Sequence, residues 1–304
     1  MKKIVRPVLA LALTLALAMS LPLAPARAAD PFAKQRAEWN KPQKPFRILD
    51  RIYYVGTAGV SAYVIFTLQG LILIDGGLPE SAAQIEANIK TLGWDIKDVK
   101  LILGTHAHFD HAGGLAKLKR DSGARLLASE GDKPILERGR VTFGPSAADP
   151  FPRVTVDRAI KDGDTAILGG VVLTAVVTPG HTPGCTNWTM PAVEGVGDHN
   201  VIFYCSLTTG DNPLVNNKAY ATIAADYKAS FARLKKINAD VFLAPHGDQF
   251  NLAKKAATVE ANTKNKVMNA ANPFIDKAEF KRVLAAQEKE FDAELKKQQA
   301  AAAK

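Results

Sequence analysis

Cysteine is almost missing from this chain of 304 residues: only Cys185 and Cys205 occur. Two thiols cannot build a structural zinc cage of four cysteines, and they permit one disulfide at most. After the first thirty residues there is no second long apolar run, so no later segment is suited to crossing a bilayer. A concentrated basic patch is also lacking. The formal charge is +9, but the lysines and arginines are dispersed, and many fall in the last fifty residues in alternation with acids. That is the pattern of a solvated helix face rather than a nucleic-acid surface. Acids are absent from the first twenty-nine residues altogether.

What stands there instead is a basic start (Lys2, Lys3, Arg6), an apolar run from Val8 to Leu23, and the small-residue site Ala26-Arg27-Ala28. This order is that of a secretory signal peptide over residues 1–28, leaving a mature domain over 29–304. Pro22 and Pro25 and the short apolar stretch disfavour a retained membrane anchor. The expected destination is the periplasm, with no membrane partner after cleavage, and there a disulfide can persist. Four of the nine net charges belong to Lys2, Lys3, Arg6 and Arg27, so the mature chain keeps +5. Such a surface mildly favours anionic small molecules.

Residues 29–46 read as a loose lead-in punctuated by Pro31, Pro42 and Pro45, with Trp39 its one tryptophan. Strand-like pieces follow at Arg47–Ile52, Tyr53–Val55, Ser61–Thr67 and Leu71–Ile74, separated by glycines. Residues 80–92 place Ile85, Ile89 and Leu92 on one helical face. Val99–Leu103 is a buried-strand candidate, and residues 113–120 read as a helix. Further strands are expected at 166–168, Val171–Val177, Cys185–Met190, Val201–Tyr204 and Val241–Ala244, with a helix near Tyr227–Ile237. A helical tail spans 253–304, broken at Asn272-Pro273 and frayed over its last seven residues. Strands then helix, twice over, suggest two halves in one sandwich with helices outside.

The chemistry concentrates in Thr105-His106-Ala107-His108-Phe109-Asp110-His111. Three imidazoles and a carboxylate within six residues, directly after an apolar strand, match the nitrogen and oxygen donors that zinc accepts. Alternate side chains of a strand-end loop can point to opposite sides, so His106 and His108 could serve one ion while Asp110 and His111 serve another. His181, in Thr178-Pro179-Gly180-His181-Thr182-Pro183-Gly184, and His246, in Pro245-His246-Gly247-Asp248, also lie just past apolar strands. Strand ends gathered at one edge would unite all six ligands. The sixth histidine, His199, reads as a loop residue without a role.

These features resemble the metallo-β-lactamase superfamily. The segments LIDGG, THAHFDHAGG, TPGHTPGCTNW, YCSLT, PHGD and NPFID, spread over nearly all of the mature chain, are most similar to the third subclass of class B β-lactamases. The resemblance implies an α/β fold, a single-domain αββα sandwich, with a pair of zinc ions at one edge. His106, His108 and His181 would match the first zinc site, and Asp110, His111 and His246 the second. It further implies Ser206 and Thr208 as substrate contacts, Asp110 as the residue orienting the nucleophile, and Asp75 as support for the metal-binding loop. Many superfamily hydrolases place a bridging Asp where this chain has Ser206. Asp198 should lie at the wrong end of its strand, whereas Asp211 could fold back. Cys185 and Cys205 could bridge, or Cys205 could offer a thiolate to the metal. No S-x-x-K serine nucleophile competes: Ser230-Phe231-Ala232-Arg233 is the nearest approach and ends in Arg.

The expected activity is zinc-dependent hydrolysis of the β-lactam amide bond by a metal-activated hydroxide, in a monomer whose partner is a small molecule. Ions about 3.5–4 Å apart can share such a nucleophile. The alternatives are a dizinc hydrolase of lactones or thioesters, which Asp211 as a ligand would favour, and a zinc-scavenging protein. Trp39, Phe143 and Phe151 are candidate walls of the substrate cleft.

Overall fold

The computed structural model describes residues 32–195, 197–267 and 270–304. Residues 1–28, expected as a signal peptide, lie outside the described residues. Two β-sheets stack face to face with helices on their outer surfaces, the αββα sandwich that the resemblance implies. The first sheet runs in sequence order: β1 (Phe46–Leu49), β2 (Ile52–Tyr54), β3 (Tyr63–Thr67), β4 (Gly70–Ile74), β5 (Val99–Leu103), β6 (Arg125–Ser129) and β7 (Arg158–Ile160). The second contains β8 (Thr165–Leu168), β9 (Val171–Val177), β10 (Thr186–Glu194), β11 (Gly197–Phe203) and β12 (Val241–Leu243), in spatial order β12-β11-β10-β9-β8. Strands β1 to β4 and β8 to β11 pair antiparallel, whereas β4 to β7 and the β11–β12 pair run parallel.

Parallel neighbours need crossovers, and the helices supply them. Along the chain these are α1 (Ala33–Trp39), α2 (Ala82–Thr91), α3 (Phe109–Ala112), α4 (Leu115–Ser122), α5 (Lys133–Arg138), α6 (Ile223–Leu234), α7 (Leu252–Lys264) and α8 (Glu279–Ala302). β4 reads as an unbroken apolar run because both of its faces are covered. Ile72 and Ile74 point between the sheets, while Leu71 and Leu73 meet Ile85, Ile89, Leu115 and Leu118 of α2 and α4. On the other side α8 turns Phe280, Leu284, Phe291 and Leu295 inward at helical spacing, with Phe291 against Tyr227 and Phe231 of α6 and Phe280 against Tyr204 and Phe242.

Several expectations are revised. The lead-in is not loose over Ala33–Trp39, which forms α1. The segment expected as one strand over 47–52 breaks at Asp50, whose φ of 44° makes the turn between β1 and β2. His199 is not in a loop but pairs with Ala192 in the β10–β11 hairpin. Strands β6 and β7 went unassigned. The end of the tail stays helical to Ala302, and Gln298 explains part of this: its side chain accepts from Leu214 N–H (2.7 Å) and donates to the Asn212 carbonyl (3.1 Å). Among the described residues no helix is long and apolar enough to cross a membrane.

Candidate metal centre

The C-terminal ends of β4, β5 and β6 lie side by side, so the loops that follow them share one rim. The loop after β5 carries His106 and His108 and enters the short α3, which carries Asp110 and His111. It is drawn tight because glycines let backbones meet: a methyl at Gly113 would collide with Pro79, and one at Gly114 with the Gly76 carbonyl. The loop after β9 brings His181. The loop after β12 brings His246, tied to the first sheet by Ser61 N–H to Pro245 O (2.8 Å) and Gly247 N–H to Gly59 O (3.1 Å). Trp188 in β10 joins the layers at this edge, its indole N–H donating to Gly104 O at 3.1 Å.

The six residues singled out in the sequence form two groups of converging donor atoms: His106, His108 and His181 in one, and Asp110, His111 and His246 in the other. In the second group Asp110 Oδ2 lies 3.3 Å from His111 Nε2 and 3.4 Å from His246 Nε2, and the two nitrogens are 3.3 Å apart. Donors about 2.0–2.1 Å from a tetrahedral zinc are spaced by about 3.3–3.4 Å. The triangle therefore has the edge a zinc ion would impose. In the first group His106 Nε2 is buried without a hydrogen-bond partner, a state that natural interiors rarely leave uncompensated. His181 Nδ1 is 2.8 Å from Thr208 O. That contact fixes the proton on Nδ1 and leaves Nε2 as the free donor. The residues present thus fit a bound cation.

Two buried carboxylates flank the ligand loop. Asp75, at the end of β4 with φ of 60°, accepts from Thr105 N–H (2.7 Å) and Thr105 Oγ1 (2.6 Å) and lies 3.8 Å from His111 Nδ1. Asp132, just past β6, was missed in the sequence. Its Oδ2 accepts from Ala107 N–H (2.9 Å) and Thr182 Oγ1 (2.8 Å), and its Oδ1 from Gly184 N–H (2.8 Å). The available signal was an acid just beyond a β-strand adjacent to the one that feeds the histidine cluster.

Burial dominates the electrostatics. It lowers His108 to about 4 and pushes His106, His181 and His246 down as well, with neighbouring imidazoles adding to the effect. Burial works against ionisation of Asp110, but the adjacent His111, His246 and His108 outweigh it and hold the carboxyl well below its usual range. Burial likewise opposes charge on His111, and Asp110 and Asp75 outweigh that and raise it. Asp75 and Asp132 are raised to about 6, chiefly by burial.

These shifts set the stability of the metal-free protein. His106, His108, His181 and His246 stay neutral when folded but charge when unfolded, so below pH ~6.5 unfolding takes up protons and stability falls with pH. Asp75 and Asp132 have the opposite sign: between about 6 and 3.8 they bind protons only when folded, and they offset part of the loss. His111 contributes above ~6.5, where its folded form alone keeps the proton. The chelated protein should therefore lose thermal stability as pH falls from 6.5 to 5, because the four histidines outnumber the two offsetting carboxylates. A melting temperature that stays flat across that window would contradict these environments.

A cleft of about 340 Å³ opens over four of the six donor residues, His108, Asp110, His181 and His246. Phe32 and Trp39 from the N-terminal segment form one wall, and the Trp39 ring lies 4.9 Å from that of His246. Thr208, Gly210 and Asp211 form another, and Ser146, Asp248 and Gln249 complete it; among the described residues no lysine or arginine lines it. Ser206 is set behind this wall, 2% exposed, with its hydroxyl 3.0 Å from Thr208 Oγ1, so Thr208 and not Ser206 presents a surface to the cleft. Phe143 packs on Tyr220 and Phe151 is buried, and neither lines the cleft. Asp211 is exposed on the wall and belongs to neither donor group. Asp198 lies at the far end of β11. Cys185 and Cys205 are joined in a disulfide, Cα to Cα 5.8 Å, which takes the Cys205 thiolate out of contention as a ligand.

The family model of the metallo-β-lactamase superfamily matches residues 55–246, more than half of the chain. Among solved structures, BJP-1, a subclass B3 metallo-β-lactamase of Bradyrhizobium japonicum, is 45% identical over 86% of this chain and 97% of that one, with a TM-score of 0.80. The native FEZ-1 metallo-β-lactamase of Legionella gormanii is 37% identical over 86% of this chain and 98% of its own, with a TM-score of 0.79. A curated hydroxyacylglutathione hydrolase of Hyphomonas neptunium is 34% identical, but the match spans only 40% of each chain. The chain belongs to the metallo-β-lactamase superfamily of metal-binding hydrolases, and its sequence and fold are similar to those of subclass B3 metallo-β-lactamases.

Proposed function

We propose that the protein hydrolyses the amide bond of β-lactams with two zinc ions, one held by His106, His108 and His181 and the other by Asp110, His111 and His246. The observation that carries this reading is the pair of donor groups, with the 3.3–3.4 Å triangle of the second, in a chain whose solved relatives are β-lactamases over almost their whole length. When bound, the ions would polarise the lactam carbonyl and make a water nucleophilic at neutral pH.

The remaining work falls to this chain's own atoms. Depressed basicity keeps His106, His108, His181 and His246 as neutral donors, and Asp110 stays ionised beside them. Asp110 Oδ2 is committed to the converging set, so Oδ1 is the oxygen left to accept a hydrogen bond from the attacking water and orient it. Thr208 offers a hydroxyl to the substrate carboxylate, with its backbone fixed by His181 and Tyr227, which both donate to its carbonyl. Phe32 and Trp39 would pack against the bicyclic nucleus and exclude water from one side. We place the activity outside the cytoplasm on the strength of the N-terminal signal pattern.

The test is turnover of a chromogenic cephalosporin by the purified protein, with and without a chelator, beside turnover of a glutathione thioester. Loss on chelation, recovery with zinc and thioester turnover at least ~10²-fold lower are expected. Thioester hydrolysis without lactam hydrolysis would transfer the site to the chemistry named for the Hyphomonas relative.

A further inference from the structure

We infer that Asp132 is a positioning residue that couples the His106–His108 loop to the His181 loop and so sets the affinity of the first donor group alone. The inference rests on the proposed ligand sets. His106 and His108 come from the first sheet and His181 from the second, and nothing in their own sequence keeps them at one spacing. Asp132 does so. One carboxylate, 2% exposed, takes the amide of Ala107, which lies between the two histidines, together with Thr182 Oγ1 and the Gly184 amide, which flank His181. The turn that carries it is wedged against the same partner: a methyl at Gly131 would meet the Pro183 carbonyl, and one at Gly184 would meet Ser129 and Asp132. Ser129 Oγ adds a bond to Gly184 O at 2.6 Å.

The chemistry is one-sided. Three donors face this carboxylate, and both of its oxygens are used. An asparagine keeps one acceptor oxygen, so its NH₂ must confront either the Gly184 amide or the Ala107 amide, whichever way it is turned. The threonine hydroxyl can rotate and the two amides cannot. Asp75 plays no part in this coupling, because it holds Thr105 within the first sheet's own loops. The second donor group hangs on the β5 and β12 loops, and no hydrogen bond found for Asp132 reaches it.

The test is zinc affinity by competition with a chromophoric chelator in two backgrounds. His246→Ala leaves the first group intact, and His181→Ala leaves the second. Adding Asp132→Asn should weaken zinc about 10–100-fold in the first background, the range for losing a ligand's supporting partner, and less than ~3-fold in the second. Equal weakening in both, or none in the first, overturns the inference. Hydrogen exchange on the metal-free protein gives a readout independent of zinc: Ala107 and Gly184 amides should lose protection in Asp132→Asn while the Thr105 amide keeps its own. Unchanged protection at Ala107 and Gly184 also overturns it. Should Asp132→Asn fail to fold, Thr182→Val removes one of the three donors and must shift the same two amides in the same direction. If the His246→Ala and His181→Ala proteins bind no zinc but exchange behaves as stated, the ligand assignment fails and the coupling stands.

Discussion

Replacing His181 by alanine is expected to lower β-lactam turnover by more than ~10³-fold, or about 4 kcal/mol of transition-state stabilisation. The size follows from the count of donors. His181 is the one ligand of its group that the second sheet contributes, and without it His106 and His108 are left as two. Losing a residue that merely supports a ligand costs about 10–100-fold, and losing the ligand itself must exceed that. Its ring borders the cleft instead of filling the core, so far-UV circular dichroism should be unchanged. Turnover within ~10-fold of the parent in zinc-saturated protein would remove His181 from the centre.

The second large effect is on stability. Trp188 is fully buried between the sheets, and its indole N–H is spent on the Gly104 carbonyl, one residue before Thr105. Trp188→Ala should cost about 3–5 kcal/mol through the cavity left behind. At ~2–4 °C per kcal/mol for a domain of this size, melting should fall by roughly 10 °C. Trp188→Phe keeps much of the volume and loses the hydrogen bond, so it should fall between the two. Urea denaturation of both variants would check the order, and equal midpoints for Trp188→Ala and the parent would mean the indole does not join the layers.

The two donor groups were legible because their parts are local. His106, His108, Asp110 and His111 declare themselves by spacing, and Thr178–Gly184 and Pro245–Gly247 by the stiff turns around a histidine. Strand β5 was placed to the residue because an apolar run ended where that cluster began. Asp132 was not legible, since its meaning lies in Thr182 and Gly184, fifty residues on, and no local pattern announces a partner at that distance. Phe32 was hidden for a similar reason, whereas Trp39 was expected as a cleft wall and lines it. Ala33–Trp39 buries no residue of its own fully, so nothing in its periodicity shows that it roofs a cleft. Ser206 was implied as a substrate contact by the resemblance alone, and the loop turns its hydroxyl back onto Thr208. Strands β6 and β7 lacked the alternation or length that would have set them apart from the loops around them.

The cleft wall has a further consequence, for how charge is sorted. The chain is cationic, with a formal charge of +9 that falls to +5 without residues 1–28, whereas Asp211 and Asp248 line the cleft and no lysine or arginine does among the described residues. Far field and near field therefore have opposite signs. On the proposed reading, a monoanion would drift in down the distant potential and present its single carboxylate to Thr208. A dianion brings a second carboxylate to a rim that repels it, while a substrate with a cationic arm finds a partner there. At physiological ionic strength the Debye length is ~8 Å, so added salt erases the attraction across the molecule before it erases the discrimination at the rim.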